Sequence, residues 1–201
     1  MRALLRHPLA WWALLWVCLL PLVWLVMQTL QDKLGANPAE TLIRATGDWT
    51  LRGLCLTLAV TPLRTLLAWP ELVRFRRLLG LSTFGYAVLH LLCYAWFDMG
   101  FEWADIAQDI AKRTFIWVGF AAFLVLLALA ATSFNRAMRW LGGRRWQALH
   151  RAVYAVAVLA ILHFWWMRAG KQDFAEVLVY AAILAVLLGW RVFNGLGTRK
   201  A

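Results

Sequence analysis

The sequence predicts an all-α membrane protein: a six-transmembrane-helix bundle with both termini cytoplasmic. Three observations carry this. Of 201 residues, 63% are hydrophobic and 15% charged, against about 25% charged in soluble domains, and the mean hydropathy is +0.66. The apolar residues fall into six runs of bilayer-crossing length. The basic residues collect in alternate connections between those runs. Backbone polar groups cannot be left open to lipid, so such runs form helices. The alternating pattern of a barrel strand is absent.

The predicted spans are 9–30, 49–68, 78–97, 115–134, 149–167 and 174–193, each near the ~20 residues that cross a bilayer. The first follows Arg2 and Arg6 and so has the outline of a signal peptide. Its apolar stretch is too long, contains Trp11, Trp12, Trp16 and Trp24, and lacks a small-x-small cleavage site, so it reads as a span. The second is expected to follow a polar connection that ends at Asp48. The third holds His90. The fourth is almost wholly apolar. The fifth holds His163, with His150 at its mouth, and the sixth closes the bundle. Tryptophans such as Trp49, Trp69, Trp96, Trp117, Trp146 and Trp190 lie near span ends, as an interfacial belt requires. No stretch between spans is long enough for a separate fold, so residues 1–201 read as one integral membrane domain.

Charge sets the orientation. Fourteen of the 21 Lys and Arg residues fall on the side of the N-terminus, from Arg2 and Arg6 through Arg74, Arg76 and Arg77 to Arg199 and Lys200, with Glu71 as the one acid there. The other side holds seven basic residues against nine acids, including Asp48, Asp98, Glu102, Asp105 and Asp109. The positive-inside rule then makes the N-terminal side cytoplasmic. The net charge of +11 is accounted for by this topology and by contact with anionic lipid. Nucleic-acid binding is excluded, because no soluble basic surface is present. Cys18, Cys55 and Cys93 lie in different spans with no CxxC or CxxCH pattern, so disulfide, zinc and covalent-haem frameworks are unsupported. Gly142-Gly143 is a turn rather than a phosphate loop. With no dinucleotide-binding module, any electrons must come from elsewhere.

The chemistry resides in the histidines. An unpaired polar group in hydrocarbon costs about 2–7 kcal/mol, so His90, His150 and His163 each need a partner, and neutral imidazole is the commonest side-chain metal ligand. His90 lies about 12 residues into the third span and His163 about 14 into the fifth, roughly 18 and 21 Å from the cytoplasmic side. Two parallel helices that present imidazoles at one level suit the bis-histidine ligation of a b-type haem. The competing reading is a proton relay or an interhelix hydrogen bond. His150 lies about 20 Å below His163. Its counterpart in the third span, about fourteen residues before His90, is Arg76 rather than a histidine. An ideal helix also turns His150 and His163 about 140° apart, so either the fifth span is irregular or His150 faces elsewhere.

The segments TGDWTLRGLCLTLAVTPLR, FRRLLGLSTFGYAVLHLLCYAWFD and WQALHRAVYAVAVLAILHFWWMR resemble the haem-binding membrane subunits of bacterial protein-methionine-sulfoxide reductase systems, within the ferric-reductase-like transmembrane superfamily. The resemblance spans nearly the whole chain. It implies a cytochrome b of the inner membrane, with one or two haem b groups held by His90, His150 and His163, and with Arg76 as the second-haem partner where the superfamily has a fourth histidine. It also implies electron transfer from the quinol pool to a periplasmic molybdopterin-containing catalytic subunit that reduces methionine sulfoxide. FMN is associated with the same family, although no motif here places it.

Two other functional classes use buried histidines or hydroxyls. A small transporter or metal permease would use the same histidines for a transiting ion, but usually shows broken helices or repeated halves, and Pro21 and Pro62 do not occupy corresponding positions of two repeats. An intramembrane hydrolase needs a nucleophile with a base in reach, and Ser82, Thr83 and Ser133 show no such pairing. The acids Asp98, Glu102, Asp105 and Asp109 fall at helical spacing, which suggests an acidic docking face for a partner.

Overall fold

A computed structural model describes residues 2–170 and 172–197, so Lys171, Arg199 and Lys200 of the charge pattern lie outside it. All regular structure among the described residues is helical. The chain divides into two compact units, residues 1–101 and 102–201. Five segments are long and apolar enough to cross a membrane: Pro8–Leu30, Pro70–Asp98, Thr114–Ala131, Gly143–Ala169 and Ala175–Asn194.

The first unit contains α1 (Arg2–Arg6), α2 (Pro8–Leu30), α3 (Pro38–Leu66), a 3₁₀ segment (Pro70–Phe75), α4 (Arg76–Cys93) and a π-turn (Tyr94–Asp98). Helix α3 covers most of the expected second span of 49–68 and begins well before it, at Pro38. Asn37 caps it by accepting from the Glu40 N–H at 3.1 Å, and Pro38 occupies the first turn. This Asn-Pro-x-Glu start satisfies orphan N–H groups without any apolar run. Glu40 pairs with Arg44 one turn on, at 2.5 Å. Arg44, Asp48 and Arg52 are therefore helical residues and not part of a polar connection. Arg52 lies over the Trp49 ring at 4.7 Å.

Helices α3 and α4 run antiparallel, as matched contacts along their length show. Ile43 and Gly47 meet His90, while Gly53 and Thr57 meet Thr83. Leu51, Leu54, Cys55, Leu58, Leu79 and Ala87 are buried. A Cβ built on Gly53 would stand 2.6 Å from the Thr83 hydroxyl, so the absent side chain sets how closely the helices approach.

Helix α2 is tied to α4 through a break in its own backbone. Pro21 lacks an N–H and disturbs the preceding turn. Next to it the Leu22 N–H donates to the Tyr86 hydroxyl at 3.1 Å, and that hydroxyl donates to the Cys18 carbonyl at 2.8 Å. Leu22 and Cys18 are the two groups that an unbroken helix would pair with each other. A side chain inserted into the ladder in this way is a recognised cause of helix bending. At the other end, Arg6 donates twice to Glu71 Oε1, at 2.9 and 2.7 Å, and Arg74 donates to the carbonyls of Leu5 and Arg6.

The second unit contains α5 (Trp103–Lys112), α6 (Thr114–Ala131), α7 (Asn135–Leu141), α8 (Gly143–His150), α9 (Val153–Ala169) and α10 (Ala175–Gly197). Helix α5 is amphipathic, with Ile106 buried and Trp103 exposed. The expected acidic face is reduced there, since Asp109 is only 12% exposed and pairs with Arg113. Helix α9 packs along α6 and against α10. Arg168 fastens its C-terminal end to Asp173 and Glu176 at 3.3 and 2.6 Å.

Two outcomes test this architecture. Tyr86→Phe leaves the Leu22 N–H and Cys18 carbonyl without the bridging hydroxyl and is expected to cost about 1–3 kcal/mol, seen as a lower unfolding temperature in detergent. Restoring an intact ladder with Pro21→Ala in the same chain should recover part of that loss. Gly53→Ala should destabilise by roughly 1–3 kcal/mol through overpacking, and Thr83→Ala should relieve it in a double-mutant cycle.

Candidate metal centre

His90 projects from the last turns of α4. Its Nδ1 lies 2.8 Å from the carbonyl oxygen of Ile43 on α3. A carbonyl only accepts, so Nδ1 carries the proton and Nε2 carries the lone pair. The ring is half-buried. Cys93, one turn further along α4, faces the Thr46 hydroxyl and lines an apolar cleft of about 280 Å³ with Leu25, Thr46, Leu89 and Trp96.

His163 repeats this arrangement in the second unit. Its Nδ1 lies 2.6 Å from the carbonyl of Phe115 in the first turn of α6, and the Phe115 ring is tilted against it with centroids 6.1 Å apart. The same reasoning fixes the same tautomer. Donor and acceptor are 47 residues apart in one unit and 48 in the other. A pair of near-equal separations ending in the same hydrogen bond is a local repeat that the apolar pattern alone does not display.

His150 ends α8. Its Nδ1 lies 3.1 Å from the carbonyl of Trp146, one turn earlier, and its ring stacks on the Trp146 indole with centroids 3.9 Å apart and planes 25° from parallel. The indole N–H in turn donates to the Thr132 carbonyl at the end of α6, at 2.9 Å. Trp146, expected only as part of the interfacial belt, thus orients an imidazole. The helix is also interrupted here. Arg151 and Ala152 separate α8 from α9, with i→i−3 bonds from Ala152 to Leu149 and from Tyr154 to Arg151. Such bonds overwind the chain by about 20° per residue relative to an α-helix. The fifth span is therefore irregular, the first of the two options left open by the ideal-helix geometry. Arg76, the first residue of α4, is exposed.

These residues fit a haem. A histidine ligand needs its second nitrogen anchored to fix tautomer and ring orientation, and the backbone supplies that anchor to His90, His163 and His150 alike. A guanidinium has donors only, so Arg76 cannot ligate iron. Among the described residues no three His, Cys, Asp or Glu side chains gather at one point, and axial ligation of a macrocycle requires no such cluster.

Residues 13–161 match the family model described as ferric reductase like transmembrane component. Relatives named protein-methionine-sulfoxide reductase heme-binding subunit MsrQ include one from Polaromonas naphthalenivorans (strain CJ2), 63% identical over 94% of this chain and 87% of its own length. Another is from Ralstonia nicotianae, 56% identical over 88% and 82%. A third, from Azospira oryzae, is 51% identical over 90% and 77%. No solved structure matches. With five apolar helices, these relatives make the chain a multi-pass protein of the bacterial inner membrane. It belongs to the ferric-reductase-like transmembrane family.

Proposed function

We propose that this chain is the haem b-binding electron-transfer subunit of a protein-methionine-sulfoxide reductase, carrying electrons from quinol to a periplasmic molybdopterin-containing catalytic subunit. The observation that carries the proposal is the repeated imidazole: on each of two helices a histidine has its Nδ1 held by a neighbouring helix carbonyl, at 2.8 and 2.6 Å, so that Nε2 is the metal-directed nitrogen. The relatives' names, as heme-binding subunits of the same reductase, support it.

The topology that goes with this function is a single integral domain of six spans with cytoplasmic termini. Helix α3 is counted as the sixth span because it packs lengthwise on α4, despite Arg44, Asp48 and Arg52. His90, His163 and His150 are the residues that would hold haem, one or two groups in all. Bound iron supplies a one-electron relay; the chain's own contribution is to fix ring orientation and exclude water. Arg76 would partner a second haem through its charge, since a guanidinium carries donors only. Each methionine sulfoxide reduced consumes two electrons and two protons and releases water, which one quinol balances. FMN enters as a further cofactor through the family resemblance alone.

Protein purified from haem-replete cells is expected to show a strong Soret band, and His90→Ala or His163→Ala to lose most of the low-spin signal. A colourless, folded preparation, or metal-dependent uptake by vesicles carrying the protein, would overturn the proposal. In proteoliposomes with a reduced quinone analogue, haem reduction should follow quinol addition, and reoxidation should require the catalytic subunit plus methionine sulfoxide. Haem that stays oxidised with excess quinol would remove the quinol step.

A further inference from the structure

The two anchoring carbonyls have something in common besides the hydrogen bond. Each lies one turn before a glycine that faces the same imidazole: Ile43 before Gly47, and Phe115 before Gly119. A Cβ built on Gly119 would stand 2.7 Å from His163 Nδ1, 2.8 Å from Cε1 and 3.2 Å from Cγ. One built on Gly47 would stand 3.1 Å from both Nδ1 and Cε1 of His90. The residue before each glycine is buried, Thr46 at 3% exposed and Val118 at 6%, so both turns face the packed interior of their unit.

The placement has a physical reason. In an α-helix the carbonyl of residue i is committed to the N–H of residue i+4, yet it retains a second lone pair. Side chains tilt toward the helix N-terminus, so the side chain of i+4 covers the turn that contains that carbonyl. A glycine at i+4 leaves the second lone pair open to a ring from a neighbouring helix. The imidazole then rests across one bare turn, with Nδ1 on the carbonyl and the ring against the glycine.

We propose that Gly47 and Gly119 are positioning residues, which set the orientation and donor strength of the His90 and His163 imidazoles toward haem iron by exposing the Ile43 and Phe115 carbonyls. This rests on the haem-binding reading above. The Nδ1–H···O=C bond makes Nε2 a stronger donor and so favours ferric iron. Weakening that bond raises the midpoint potential and rotates the ring. The two glycines also differ in degree. An alanine at Gly119 cannot be accommodated without moving His163, whereas one at Gly47 needs only a small displacement of His90.

The experiment compares wild type, Gly47→Ala, Gly119→Ala and Gly53→Ala as purified holoproteins, by haem content, low-temperature electron paramagnetic resonance and redox titration. Gly53 is a control, since it packs on Thr83 and touches no imidazole. Expected are a shifted low-spin signal and a raised potential in both histidine-facing variants, larger for Gly119→Ala, with Gly53→Ala losing stability but keeping wild-type g-values and potential. Loss of haem from Gly119→Ala alone, with a smaller shift of the same sign in Gly47→Ala, also supports the proposal. Unchanged g-values and potential in both histidine-facing variants, or an equal shift in Gly53→Ala, would overturn it while the haem reading stands. A haem-free wild type would overturn both.

Discussion

The structure turns on how an imidazole is held in an apolar helix pair. A ring nitrogen with nothing to bond costs several kcal/mol in hydrocarbon, and the charged form costs more. For His90 and His163 the solution draws on the backbone of the neighbouring helix. A main-chain carbonyl of the adjacent helix takes the Nδ1 proton, at 2.8 and 2.6 Å. Helix backbone is the one polar material that every membrane span carries, so this anchor adds no further group needing satisfaction. It also fixes the tautomer, which leaves the lone pair on the nitrogen that suits a metal.

That anchor governs the packing around it. For a carbonyl to be reached, two helices must approach closely at that level, and the close approach falls at glycine. In the first unit Gly47 and Gly53 bring α3 against α4, the second facing the Thr83 hydroxyl. In the second unit Gly119 does the same for α6 and α9. Polar groups elsewhere are satisfied by similarly local means. Thr46, Thr57 and Thr83 bond back to carbonyls of their own helices, and Tyr86 enters the break beside Pro21 in α2.

Polar residues that interrupt a hydropathy profile thus serve the interior of the structure. Asn37, Pro38 and Glu40 start α3 well before its apolar run, and this places Ile43 and Gly47 where His90 can meet them. Trp146 illustrates the reverse case. Its position near a span end suits an interfacial belt, yet its indole links the Thr132 carbonyl to the His150 ring. The tightened turn at Arg151 and Ala152 then changes the angle between His150 and His163 from that of a continuous helix.

The sequence by itself determined the helical membrane class and five of the apolar spans, and it singled out three histidines as candidate ligands. These follow from composition, run length and the cost of burying polar groups, which act locally along the chain. It also carried, in the Asn-Pro-x-Glu start and the spacings of 47 and 48 residues, signals that hydropathy passes over. Only the tertiary structure decided where α3 begins relative to His90, which carbonyl anchors each ring, and that glycines face them. Those depend on which turns of two helices lie opposite one another, and register between helices distant in sequence is set by close packing, not by the periodicity of either helix alone.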